Sequence, residues 1–304
     1  MKLPKILSVL LILIVYSGCE VSAQDRKAEE NELIDWFFRH LYNFSFAEAD
    51  SMIVLINQTE IDKATIFNLK ANLDWWKLLS GDSIDRNLKN CNFNINESIN
   101  ALLKSGEQDT RSLINLIYSY SLKARLENYN GNTLKSLVYF YKSGAYVKKC
   151  IDSPVKDEKL YLELGLYLYF ADYIENEYFI TKPLFLSLPR GDKSTGLRYL
   201  EDCSVSGNEM ISTEANYFLL KIYMYIEKEY NIASLRAEIL TREHPENLVY
   251  RMEQIKVLHL LKKTNEAGEL QKKLAGEIEA SKSLSNIQKI HFISQLNELT
   301  ASGN

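Results

Sequence analysis

Breakers are scarce in this chain: its 304 residues hold only 12 glycines and 5 prolines. That scarcity excludes turn-rich all-β architectures, which need a break about every ten residues. There are four histidines, His40, His244, His259 and His291, with no HExxH or paired-cysteine spacing, so no metal ion is expected. No long basic run is present and the formal charge is −4, which argues against nucleic acid as a partner. A phosphate-binding loop is missing too. GDKSTG at 191–196 puts Asp192 where glycine must precede the lysine, and no strand leads into it; Asp192 reads as a helix cap instead. No serine, cysteine or lysine sits in a nucleophile motif. Acidic pairs such as Asp172 with Glu175 and Glu227 with Glu229 read as solvated helix faces rather than glycosidase carboxylates. No cofactor is expected and no enzymatic activity.

What is there is apolar and aromatic: 46% hydrophobic residues, 25% charged, and 19 tyrosines. This is the composition of a globular chain. The first 23 residues, MKLPKILSVLLILIVYSGCEVSA, have Lys2 and Lys5 ahead of a short apolar run, the pattern of a targeting segment. The run is too short to span a bilayer in the mature protein. Two processing readings stand. Val21-Ser22-Ala23 suits a signal peptidase and leaves Gln24 first, whereas Ser17-Gly18-Cys19 is similar to a bacterial lipobox and makes Cys19 a lipid-carrying terminus. Either way the chain is expected to leave the cytoplasm for the periplasm or cell envelope, held at the outer membrane in the second case. Loss of residues 1–23 moves the formal charge to −5. Cys91, Cys150 and Cys203 then remain, an odd number, and are expected as buried thiols.

From about residue 30 onward apolar residues recur at helical spacing. Helices are expected near 30–42, 46–57, 62–80, 84–104, 109–128, 132–151 and 157–180, then 193–203, 212–227, 230–243, 247–263, 266–281 and 286–300. Short polar breaks separate them, and helices joined so closely must run antiparallel. Ser285 and Gln288 form a capping box, and Pro183 with Pro189 marks a seam. The expected division is 24–180 and 181–304.

In EANYFLLKIYMYIEKEYNIASLRAEILTREHPEN, residues 214–247, Tyr217, Leu220, Ala233 and Pro245 stand 3, 13 and 12 apart. Ring and leucine fill the seam between two helices, alanine lets the backbones approach, and proline ends the second helix. The spacing resembles the tetratricopeptide repeat, with Lys221 at a site the family keeps small. A second, partial unit starts at Tyr161 with Leu164 and Gly165 and closes at Pro189. Residues 189–262 resemble those of exported bacterial proteins of this family.

The resemblance implies an all-α fold of antiparallel helix hairpins stacked into a curved solenoid, with a concave face that docks a protein or peptide partner. His244, just before the closing proline, is placed on the turn surface. Trp75 and Trp76, adjacent on one helix and so pointing about 100° apart, and Tyr223 are candidate partner-facing rings. The alternative is an exported glycan-binding lipoprotein, which needs one of those indoles flat to solvent.

Overall fold

The computed structural model describes residues 23–106, 109–153, 155, 157–177 and 186–302. The targeting segment with Cys19, and Pro183 at the expected seam, lie outside these residues. Among the described residues the fold is all-α, with thirteen helices and no strand. They are α1 (Ala23–Tyr42), α2 (Phe46–Ile56), α3 (Lys63–Leu79), α4 (Ile84–Ser105), α5 (Thr110–Tyr129), α6 (Thr133–Cys150) and α7 (Glu158–Glu177). There follow α8 (Lys193–Cys203), α9 (Glu209–Lys221), α10 (Tyr230–Glu243), α11 (Leu248–Leu260), α12 (Thr264–Ala280) and α13 (Asn286–Ser302).

Side chains at the breaks fix where helices begin. Asp62, Asp109, Asp192 and Asn208 each accept a hydrogen bond from a backbone N–H three residues on, at 2.7–3.0 Å, which satisfies amides that the first turn leaves open. Ser285 and Gln288 bond reciprocally: Ser285 N–H donates to Gln288 Oε1 at 3.0 Å, and Gln288 N–H to Ser285 Oγ at 3.3 Å. Asp192 is thus the cap that its sequence context suggests. The helix expected at 212–227 differs. Asn208 starts it earlier, and after Lys221 it loosens into a π-helical turn, Ile222–Ile226.

Consecutive helices pack in pairs: α1 on α2, α3 on α4, α5 on α6, α7 on α8 and α9 on α10. The odd-numbered helices also meet each other, α1 with α3, α3 with α5, α5 with α7 and α7 with α9. Then α9 returns to α1. The first and fifth hairpins are joined there by Asn208 Nδ2 donating to Asp35 Oδ1 at 3.1 Å and by Arg39 lying 3.6 Å from Glu209. Five inner helices therefore close on themselves. Where the resemblance implied a concave trough, side chains of the inner helices meet one another, Arg125 with Glu214 and Tyr118 with Asn72.

Residues expected to pack the repeats are core or turn residues. Leu220 and Ala233 are fully buried, Leu164 is buried, and Tyr217 lies half-buried against Trp76 and Tyr250. Tyr161 packs on Tyr199, the Pro189 carbonyl accepts from Tyr167 Oη at 2.8 Å, and Pro245 is exposed in the turn after α10. Gly165 and Gly196 let α7 and α8 approach: a Cβ on Gly196 would lie 2.6 Å from Tyr169 N and 2.8 Å from Gly165 O. One at Gly191 would meet Asp172 N at 2.0 Å, so the glycines of GDKSTG serve packing. The largest apolar core has members on both sides of the expected division, from Phe37 to Val257. Cys91, Cys150 and Cys203 are free and buried.

Candidate functional site

The inner helices carry charge where the fold is most enclosed. Arg125 on α5 donates to Glu214 Oε2 on α9 at 3.0 Å, and Tyr42 Oη on α1 donates to Glu214 Oε1 at 3.4 Å. The guanidinium also stands 5.1 Å from the Phe218 ring centre. Burial alone would lower the Arg125 pKa, but Glu214, with Tyr118 and Glu163, reverses that and holds it raised. Glu163 on α7 accepts from Ser121 Oγ at 2.8 Å. Burial pushes its carboxyl up, against the opposing pull of Arg125, that hydrogen bond and Lys159. Lys159 donates to Asn115 Oδ1 at 2.9 Å with its ammonium 4.4 Å from the Tyr118 ring, and burial lowers its pKa. Further along, Lys221 stands 3.1 Å and Lys256 2.9 Å from Glu253, which they hold low despite its burial. Charges of alternating sign thus link α7, α5, α9 and α11, and each is engaged by a neighbour.

Two concavities open elsewhere. The larger, about 670 Å³, lies where α3 and α5 begin and α4 ends. Ala64, Phe67, Ala101 and Leu102 make its apolar part, and Lys63, Lys104 and Arg111 alternate with Asp62, Glu97 and Asp109 on its rim. Asn115 joins it to Lys159 behind. The smaller, about 410 Å³, lies beside the π-helical turn. In its wall Glu227 accepts from Tyr169 Oη at 2.6 Å and from Lys193 Nζ at 2.5 Å. Among the described residues no group of three His, Cys, Asp or Glu side chains is placed to hold a metal ion, and no helix is long and apolar enough to cross a membrane.

The rings singled out from sequence are mostly interior. Trp76 is 1% exposed, edge-on to Tyr42 and Tyr250. Trp75 is buried edge-on to Tyr129, and Tyr223 lies half-buried with its hydroxyl on Glu201 Oε1 at 3.1 Å. Neither indole offers a partner its face: rings of α1, α9 and α11 enclose Trp76, and Tyr129 of α5 covers Trp75. His244 is likewise no surface residue. The turn after α10 folds back on α1, which buries the ring against Tyr42 and Tyr250. Its Nε2 lies 2.9 Å from Thr213 Oγ1 and its Nδ1 3.4 Å from Asn43 Nδ2. Sequence reasoning passed over Arg125, Glu163 and Glu214. Their signal was a charge at a core register position, as with Glu163 inside YLELGLYLYF.

Two buried groups titrate in opposition. Burial, aided by Arg39, lowers His244 to about 4. Burial raises Asp74 to about 6, although Asn94 Nδ2 donates to its Oδ2 at 2.8 Å. Glu209, 3.7 Å from His244, therefore faces a neutral ring at pH 7. For His244 the unfolded chain takes the proton first, so stability falls as pH drops from 6.5 toward 4. For Asp74 the folded chain takes it first, so stability rises from pH 6 toward 3.8. Each leg is worth about 3 kcal/mol. Asp74→Asn keeps an acceptor for Asn94 and should stabilise the fold at pH 7 by about 2–3 kcal/mol. It should also expose the His244 leg as a marked loss between pH 6.5 and 4. Urea melts at pH 7 and pH 5 read both effects, and an unchanged midpoint at pH 7 would contradict the assignment.

No family model matches the chain, and neither does any curated protein or solved structure.

Proposed function

We propose that this chain is a non-enzymatic docking protein, exported to the cell envelope, that holds a segment of a protein partner at one end of its inner helices. In this reading the hairpins are divergent tetratricopeptide-like units, wound tightly enough that the fifth returns to the first. The N-terminal residues direct export and, if Cys19 is lipidated, tether the protein to the outer membrane. The observation that carries the reading is the groove where α3, α4 and α5 meet. Its volume of about 670 Å³ suits a short segment, and its apolar part sits under a rim of both charge signs. Such a rim matches a peptide of mixed sequence better than a polyanion. The interior charges, in contrast, are engaged with one another, as ion pairs that hold helices together would be. The glycan alternative needs an indole flat to solvent, and with Trp75 and Trp76 buried no observation favours it.

A photo-reactive phenylalanine analogue at Asn100, which lines the groove, tests this in the envelope fraction. The expected result is a protein adduct at position 100, none with the probe at exposed Lys272 on α12, and loss of the adduct when Ala101→Trp fills the groove. An adduct undiminished by Ala101→Trp, or none at all, contradicts the proposal.

A further inference from the structure

Helix α6 is the only one of the thirteen described helices that contains no aspartate or glutamate. It carries four lysines, Lys135, Lys142, Lys148 and Lys149, in a chain whose formal charge is −4. Between Glu127 and Asp152 there is no acidic residue. The same helix leaves large apolar groups in solvent: Leu134 is 81% exposed, Val138 53% and Tyr141 36%. These positions and exposed Ala145 follow one another by four, three and four residues, so they form a single stripe along the helix. At 100° per residue, Lys142, Lys149 and Lys135 border the stripe on one side; on the other lies Lys148, which donates to the Ser187 carbonyl at 2.9 Å, beside the Tyr141 hydroxyl at 3.2 Å from Ser187 Oγ. The opposite side, with Ser143, Gly144, Val147 and Cys150, is buried against the body.

An apolar stripe edged by lysines is the arrangement of a helix that lies in a lipid–water interface. Its short apolar groups enter the acyl boundary while the lysine stems reach up to anionic headgroups. An aqueous role alone does not account for placing Leu134 and Val138 outward among lysines. We propose that α6 is a membrane-docking face that rests on an anionic bilayer surface. It is separate from the groove at α3, α4 and α5 and does not depend on what that groove holds. Docking through α6 is peripheral: the helix stays packed on α5 and α7, and its outward stripe enters the headgroup layer.

The test uses the full chain with Cys19→Ser and an environment-sensitive fluorophore on Val138→Cys, the native Cys91, Cys150 and Cys203 being buried. A matched protein carries the label at Leu235→Cys, which is 53% exposed on α10. Phosphatidylglycerol vesicles should blue-shift the label at 138 and leave that at 235 unchanged, and phosphatidylcholine vesicles should shift neither. Added salt should reverse the shift. Lys142→Glu with Lys149→Glu should weaken the response at least about tenfold, with an unchanged circular dichroism spectrum. No shift at 138 on phosphatidylglycerol overturns the proposal, as does an equal shift at 138 and 235 or on the two lipids. In the first case an acidic protein surface becomes the better occupant of the stripe.

Discussion

Arg125→Leu is expected to destabilise the protein by about 3–5 kcal/mol, one of the two largest single effects in the molecule. The change removes the hydrogen-bonded partner of Glu214 and leaves that carboxylate nearly inaccessible to water, with only the Tyr42 hydroxyl at 3.4 Å. A buried carboxylate without its cation has lost the interaction that offset its desolvation, while water is still excluded. Glu163 loses a neighbouring positive charge at the same time. The double variant Arg125→Leu with Glu214→Leu should recover most of the loss, because both charges then leave together. Chemical denaturation of the parent, both singles and the double gives the coupling directly. If Arg125→Leu alone is neutral, the pair is not enclosed as described.

The second large effect is at Trp76. Trp76→Ala should cost about 3–5 kcal/mol, since the indole is 1% exposed and packs against Tyr42, Phe44, Tyr217 and Tyr250. Those rings come from α1, α9, α11 and the turn after α1, so the cavity opens at the junction where the ring of helices closes. Nearby backbones are held by the same closure: Asn247 Nδ2 donates to the Tyr42 carbonyl at 2.8 Å. Trp36→Ala is the matched comparison. Trp36 is 46% exposed, and its loss should stay within about 0.5–1 kcal/mol. Equal denaturation midpoints for the two variants would return Trp76 to the surface, where the partner-facing reading had it.

The helices themselves were legible because local chemistry sets them. Asp192 and the break after Cys203 bound α8, and Glu229 and His244 bound α10, so the expected spans 193–203 and 230–243 coincide with the helices found. The capping box at Ser285 needed only neighbours three residues apart. The contact between α1 and α9 joins residues more than 170 positions apart, which no local pattern encodes. The enclosure of Trp76 depends on that closure, and so does the burial of His244, whose position beside Pro245 suggested an exposed turn, whereas Trp75 is covered by Tyr129 of the next hairpin. The π-helical turn at Ile222–Ile226 was hidden for another reason. It keeps the apolar spacing of a continuous helix while shifting the register of Met224 and Tyr225. The groove at α3, α4 and α5 brings together residues from 62 to 115 that share no motif, and only the packing of three helix ends reveals it.

Closure of the inner helices is the claim on which the buried charges, the interior Trp76 and the choice of outward docking surfaces all rest. Spin labels at Arg39 and Glu209, whose side chains lie 3.6 Å apart between α1 and α9, measure it directly in the Cys19→Ser chain. The closed arrangement predicts strong dipolar coupling, with a separation under about 20 Å including the label arms, whereas four hairpin steps of roughly 8–10 Å in an open row would put them about 30–40 Å apart. A distribution centred at the longer distance would contradict the closed ring.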